Sequence, residues 1–301
     1  MRQCGTVPHG EYDDQVISYL EIFDTGTGFY DLALSEIVLD FLDFEYDGDE
    51  MWYCIQGDAS VIANAMAQKL PEGKIFNGKR VTAIAPTTSR DQPPRTYSHV
   101  ISTISLSCLR MVDTSHCKFS WGLQTAIRSL HYATSTKVTI KFNERWWERM
   151  GQVGGVSNTD RPTRAVVYPS YGIGGTDATM IVSYTWAQDV SRFSPFSGNR
   201  DSEKAPLDVI SRDLADMHGT KDHNDLRNLV SDHGAFAHFG PGQFSQLYPQ
   251  VTKPAANGKL HFAGEATSVY HGWVVSALNS AARAIYELAY CEGREDLVQE
   301  V

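Results

Sequence analysis

The chain has 301 residues but only five cysteines, at positions 4, 54, 108, 117 and 291, and no two of them form a Cys-x-x-Cys pair. An odd number at such wide spacing argues against a zinc ribbon or a disulfide framework and predicts reduced, mostly buried thiols. No apolar run approaches the roughly 18 residues that a spanning helix needs. Basic residues are the scarcer charge, with 26 Lys and Arg against 36 Asp and Glu, a net charge of −10. Without a Lys/Arg-rich run, such a chain is a poor binder of nucleic acid or anionic membrane. The first residues, MRQCGTVPHGEYDDQ, lack the basic-then-apolar layout of a signal peptide, and the expected location is cytoplasmic. Repeats and low-complexity tracts are also missing. Collagen, coiled coil, disorder and membrane protein are excluded.

What is present is globular composition, 42% hydrophobic and 21% charged, enough at this length for a sizeable core. Apolar positions at helical spacing (Val16, Ile17, Leu20, then Leu32, Leu34, Ile37, Val38, Leu39, Phe41, Leu42) predict two short helices within 15–45. The breaks DTGTG at 24–28 and DGDE at 47–50 bound them. SVIANAMAQKL at 60–70 reads as a helix capped by Ser60 and closed before Pro71. Strands are expected at 81–85 and 99–102, a helix at 119–133, and a strand at 134–142 with Val138, Ile140 and Phe142 on one face. Further strands are expected at 164–168 and 179–186, and a helix at 206–217. A polar segment follows at 218–234, then turns at PGQF (241–244) and KPAANGK (253–259), a strand at 259–264 and a helix at 272–290. This mixture implies an α/β (α+β) architecture with two interleaved domains.

The segment KLHFAGEATSVYHGWVVSALNSAARAIYELAY is the most informative. Ligands on open α/β sheets bind beyond the carboxyl ends of strands, and helix N-termini attract anionic groups. Glu265 stands at such a strand end, and Gly272 opens the following helix.

HFAGEATSVYHGWVVSALNSAARA also resembles the C-terminal flavin-contacting block of the flavin-dependent amine oxidase family, and most of all its L-amino acid oxidases, the fungal ones in particular. The resemblance continues in family order from about residue 15 to 290. It runs through YCIQGDASVIANAM, NGKRVTAI, HVISTISLSCLRMVD, AIRSLHYATSTKVTIKFNERWWE, RAVVYPSYGIGG and GAFAHFGPGQF. It implies an incomplete FAD/NAD(P)-binding Rossmann-like domain interleaved with a mixed-sheet substrate-binding domain. The expected division is a helical segment 1–50, FAD-binding parts at 51–112 and 251–301, and a substrate-binding domain at 113–250.

By the same resemblance Lys137 matches the lysine that holds a water against flavin N5. Periodicity alone places it beside Lys141 on a solvated strand face. Tyr168 matches the tyrosine that binds the substrate α-carboxylate, and Trp273 a wall of the substrate cavity. Val81 lies in the strand resembling the one that contacts the adenosine, Glu265 matches a glutamate on FAD, and Gly272, Trp273 and Val274 match the helix start against the flavin. Trp146 and Trp147 match a pair with a core role. The implied activity is oxidation of L-amino acids with noncovalent FAD, giving a 2-oxo acid, ammonia and hydrogen peroxide. An amine or polyamine oxidase and a non-catalytic remnant or partner chain are the alternatives. A cofactor-free enzyme has no supporting triad or metal constellation: His131, His218, His223, His233 and His238 have no fixed ligand spacing and read as loop or surface residues.

The sequence departs from the family at three places. No β–G-x-G-x-x-G–α unit precedes these blocks: Gly26-Thr27-Gly28 follows no apolar strand, and Gly172-Ile173-Gly174-Gly175 lies in the substrate-domain segment. Gly57-Asp58 stands where Gly-Gly is usual, and LRNLVSDHGA at 226–235 lacks a tryptophan. The implied partners are a small-molecule amino acid or amine, and a separate N-terminal chain or a second copy in a homo-oligomer. No nucleic acid and no membrane is implied.

Overall fold

The structure, a computed structural model, describes residues 13–23, 32–42, 53–86, 95–193, 204–219, 226–294 and 296. In chain order the elements are α1 (Asp14–Phe23), α2 (Leu34–Leu42), α3 (Ser60–Ala67), β1 (Val100–Ser102), α4 (Leu106–Leu109), α5 (Trp121–Ser129), β2 (His131–Phe142) and α6 (Trp146–Arg149). They continue with β3 (Val156–Asn158), β4 (Ala165–Val167), β5 (Thr179–Trp186), α7 (Val190–Phe193), α8 (Lys204–His218), β6 (Leu226–His238), α9 (Gln243–Val251), β7 (Leu260–Phe262) and α10 (Val274–Cys291). Parallel and antiparallel strands both occur, so the chain is mixed α/β as expected. It separates into two compact units, Met1–Asp31 with Tyr132–Phe236 and Leu32–His131 with Ala237–Val301.

The first unit holds a five-stranded sheet in the order β3-β4-β5-β2-β6. Alternation along β2 buries Val138, Ile140 and Phe142, as the spacing predicts. With Trp147, Val166, Met180, Val182, Ile210 and Leu214 they form one contiguous core. Trp146, Trp147 and Phe142 meet edge to face, which confirms the tryptophan pair as packing residues. A register shift between Val138 and Thr139 interrupts the β2–β5 ladder. The glycines at 172–175 form a loop held by Arg145, whose guanidinium donates to the carbonyls of Tyr171 (2.9 Å) and Asp177 (2.7 Å) and pairs with Glu148. Glu148 also accepts the Gly174 amide at 3.0 Å, so this glycine run is a structural turn.

The second unit pairs β1 and β7 in parallel, with Val100 opposite Leu260 and Ser102 opposite Phe262. Segments 113–131 and 237–250, which the sequence reading grouped with the substrate domain, fall in this unit, where α5 packs on α9. Arg283 of α10 donates to the Phe262 carbonyl (2.8 Å) and to Thr267 Oγ1 (3.0 Å), fastening the helix to the strand end. Beside it, His261 is fully buried between His99 (3.1 Å) and Glu287 (3.3 Å).

Several local expectations change. Residues 81–85 make a single parallel bridge, Ala83 to Asp113, instead of a strand. Ser60 is the first residue of α3 and not its cap; Asp58 Oδ1 accepts the Ser60 amide at 2.7 Å. The polar segment at 218–234 contains most of β6, because strand pairing uses backbone groups that polar side chains do not forbid. PGQF leads into α9, in which Leu247 and Val251 are buried at helical spacing. The turn at 253–259 is confirmed by three successive positive φ angles, at Ala256, Asn257 and Gly258. The breaks at 24–28 and 47–50 lie outside the described residues. Of the described cysteines only Cys117 is buried; Cys54, Cys108 and Cys291 are exposed, contrary to the expected burial. Among the described residues no helix is long and apolar enough to cross a membrane.

Candidate functional site

In the second unit both parallel strands end on the same side. After β1 comes Thr103-Ile104-Ser105, where Ser105 Oγ accepts the Cys108 amide and caps α4. After β7 comes Ala263-Gly264-Glu265, with Gly264 at φ +127°. Glu265 turns inward. Its carboxylate accepts the Gly272 amide (2.9 Å) and the Ala237 amide (3.0 Å). Burial pushes its pKa up, and the two amides together with the nearby His271 only partly oppose that shift.

The Glu265–Gly272 bond fixes the entry to α10. Gly272 has φ +79°, a conformation that suits glycine, and Trp273 takes the N-cap position in extended conformation. Among the described residues no side chain caps this helix. Its first-turn amides have no partner within the helix and carry the positive end of its dipole. Val274 and Val275 are exposed at 60% and 58%, so the helix start is open. Two buried polar atoms nearby, His271 Nε2 and Ser276 Oγ, have no hydrogen-bond partner among the described residues. This arrangement can receive an acceptor-rich, flat, partly apolar group.

A second buried carboxylate belongs to the same place. Glu36, on α2, has one oxygen 2.5 Å from His271 Nδ1 and accepts the Phe239 amide on the other at 3.2 Å. The His271 ring packs against those of Phe239 and Phe244. His238 is buried alongside, and desolvation pushes its pKa down to about 3, with His271 and His131 adding to the effect.

The profile of the flavin containing amine oxidoreductases matches residues 6–287. The chain belongs to that family. It is 42% identical, over 96% of its length, to a Dictyostelium discoideum protein named as a bifunctional amine oxidase. It is 40% identical over 94% to L-amino-acid oxidase 4 of Hebeloma cylindrosporum, and 30% identical over 75% to the L-amino-acid oxidase of Mus musculus. The chain spans 29%, 51% and 36% of the lengths of these three relatives.

The residues fit the flavin end of the family's cofactor. The open start of α10 offers amides and apolar flanks, and Gly272 lets backbone come close. The parallel strands lead into Thr103-Ile104-Ser105 and Ala263-Gly264, and neither is the three-glycine turn that cradles a pyrophosphate. Val81 is 56% exposed on an irregular segment.

Of the residues singled out from sequence, Glu265, Gly272, Trp273 and Val274 come together in one loop and helix start. Val81 belongs to the same unit, while Lys137 and Tyr168 belong to the other. Lys137 is exposed on β2, with its ammonium 4.7 Å from the centre of the Tyr184 ring. Tyr168 is buried in the core, its hydroxyl 2.7 Å from His218 Nε2 and 3.1 Å from Ser157 Oγ. Burial raises its pKa and lowers that of His218.

His238 is buried and His218 half-buried, against the surface reading, because each sits on an element that packs. His223 and the His233 side chain lie outside the described residues. Among the described residues no His/Cys/Asp/Glu group could hold a metal ion. Sequence reasoning missed Glu36 and His271 and misread His238. Only His271 carried a signal, its place next to Gly272.

Proposed function

We propose that this chain carries the flavin- and substrate-contacting part of an FAD-dependent L-amino acid oxidase. The observation behind this reading is the Glu265–Gly272 hydrogen bond, which holds an open, uncapped helix start at the carboxyl end of a parallel strand. The 40% identity with a protein named L-amino-acid oxidase supports the substrate class. FAD, held noncovalently by Gly272, Trp273 and Val274, would supply a hydride acceptor for the substrate α-hydrogen, with dioxygen as the final oxidant and hydrogen peroxide as the product. The substrate is left as an imino acid, whose hydrolysis gives the 2-oxo acid and ammonia.

The chain's own residues do the binding and orienting. Gly272, Trp273 and Val274 present backbone to the cofactor's polar edge, where amides and the helix dipole favour negative charge. Glu265 orients that turn, and Val81 serves the adenosine side. Lys137 holds a water by donating a hydrogen bond to it. Trp273 walls the substrate, and Tyr168 donates to the α-carboxylate. A hydroxyl has one proton to give, and Tyr168 gives it to Ser157 Oγ at 3.1 Å with His218 Nε2 2.7 Å away, so this role competes with those contacts. They favour a second reading, an amine or polyamine oxidase whose substrate lacks the carboxylate.

Kinetics of the flavin-loaded full chain test both. Lys137→Met is expected to slow turnover about 100-fold, and unchanged rates would remove Lys137 from the reaction. Tyr168→Phe is expected to raise KM for L-amino acids and leave simple amines unaffected. Equal behaviour of the two substrate classes would transfer the assignment to the amine oxidase reading.

A further inference from the structure

Glu36 is the one residue of α2 that is buried, at 3% exposure, while Leu34 on the same helix is 71% exposed. Hydrophobic burial alone would choose the reverse, since a carboxylate loses hydration when it is buried and leucine does not. Its place in the first turn, two residues after Leu34, is where a glutamate would fold back on its own helix in a capping box. Both oxygens are used elsewhere. One meets His271 Nδ1 and the other accepts the Phe239 amide, contacts spanning 235 and 203 residues of sequence. The Phe239 carbonyl in turn accepts the Ala33 amide at 2.9 Å.

Glu36 and Glu265 form a matched pair. Glu265 takes the amide of Ala237 and Glu36 that of Phe239, alternate residues of an extended segment, whose amides point to the same side. Glu265 also takes the Gly272 amide, and Glu36 the ring of the residue before it. Two carboxylates thus tie consecutive residues of one turn to alternate residues of one extended segment. His271 Nε2 has no partner among the described residues, so hydrogen bonding orients this ring through Glu36 alone.

We propose that Glu36 is a positioning residue: through His271 and Phe239 it holds the His271–Gly272 turn and so aims the start of α10. The link from this turn to the cofactor rests on the oxidase reading above. The hold itself does not.

The test is amide hydrogen exchange in the full 301-residue chain without added FAD, comparing wild type, Glu36→Gln and Glu36→Ala. Loss of a charged acceptor is expected to speed exchange at Gly272 and Phe239 roughly tenfold or more. The Ala263 amide, bonded to the Ser102 carbonyl in the same unit, should not change. A change in the nitrogen chemical shifts of the His271 ring should accompany the effect. Unchanged exchange at Gly272 overturns the proposal, and so does a uniform rise that includes Ala263, which marks general destabilisation. An FAD titration followed by flavin fluorescence then tests the oxidase reading separately. Wild type that fails to bind FAD sinks the cofactor assignment, while the exchange rates still decide the role of Glu36.

Discussion

Both units have apolar cores, but they pair their buried polar groups differently. The unit built on the five-stranded sheet has a continuous apolar core, from Ile140 and Val182 to Trp147 and Ile210, in which each side chain replaces water contacts with packed neighbours. The unit containing α10 also buries apolar side chains, Leu109, Phe239, Val251 and Leu260 among them, but sets its buried polar groups on histidine: Glu36 with His271, and His261 between His99 and Glu287, where the first unit sets Asp213 on Thr163 and Arg161. Its segment 53–86 contains no buried residue, and Tyr53, Met66, Phe76 and Val81 are all exposed. Dispersed apolar burial resists changes of pH, whereas buried titratable groups make stability depend on it. The unit that carries the candidate cofactor site adds buried histidine–carboxylate contacts to its apolar core. Such contacts fix orientation, which a binding turn needs more than bulk stability.

The contrast can be broken most directly in the five-stranded unit. Trp147→Ala removes a fully buried ring and is expected to cost about 3–5 kcal/mol, measured by urea unfolding followed by circular dichroism. A loss under about 1 kcal/mol would mean that the core collapses around the gap.

The second effect belongs to the other unit and has a definite sign. His238 is pushed from 6.5 to about 3, so between those values the unfolded chain binds the proton and the folded chain does not. Stability is full above pH 6.5 and falls as pH drops toward 3. The fall from neutral pH to about pH 4 is expected to be on the order of 3 kcal/mol. The raised pKa of Glu265 works in the opposite direction, its stabilisation being lost as pH rises above the ordinary carboxylate range. Unfolding curves for wild type and His238→Gln across this range separate the contributions. An identical pH slope in the variant would clear His238.

The smallest effect sharpens the comparison. Met66→Ala, on the exposed face of α3, should change stability by no more than about 0.5 kcal/mol. A loss comparable to that at Trp147 would show that segment 53–86 is packed in solution.

Much of the fold was legible in the sequence. The alternation in β2 and the strand–turn–helix at 260–291 follow from local periodicity and turn chemistry. So did Glu265 and Gly272, because a strand end and a helix start lie seven residues apart and announce each other. The strand β6 was hidden because its polar composition carries no period-two pattern, and α9 because Pro241-Gly242 drew attention to the turn and away from the helix after it. Tyr168 was found as a residue of interest, but its contact with His218 depends on a helix 50 positions away.

The sequence alone determined the family blocks, the mixed α/β composition and the turn that opens α10, since each is encoded by neighbours in the chain. The tertiary structure alone decided that an acid on α2 would be buried while the leucine two residues before it stayed exposed. Coordination of a carboxylate by groups more than 200 residues distant leaves no local pattern, and in a low-dielectric interior those partners outweigh the hydrophobicity of the residue itself.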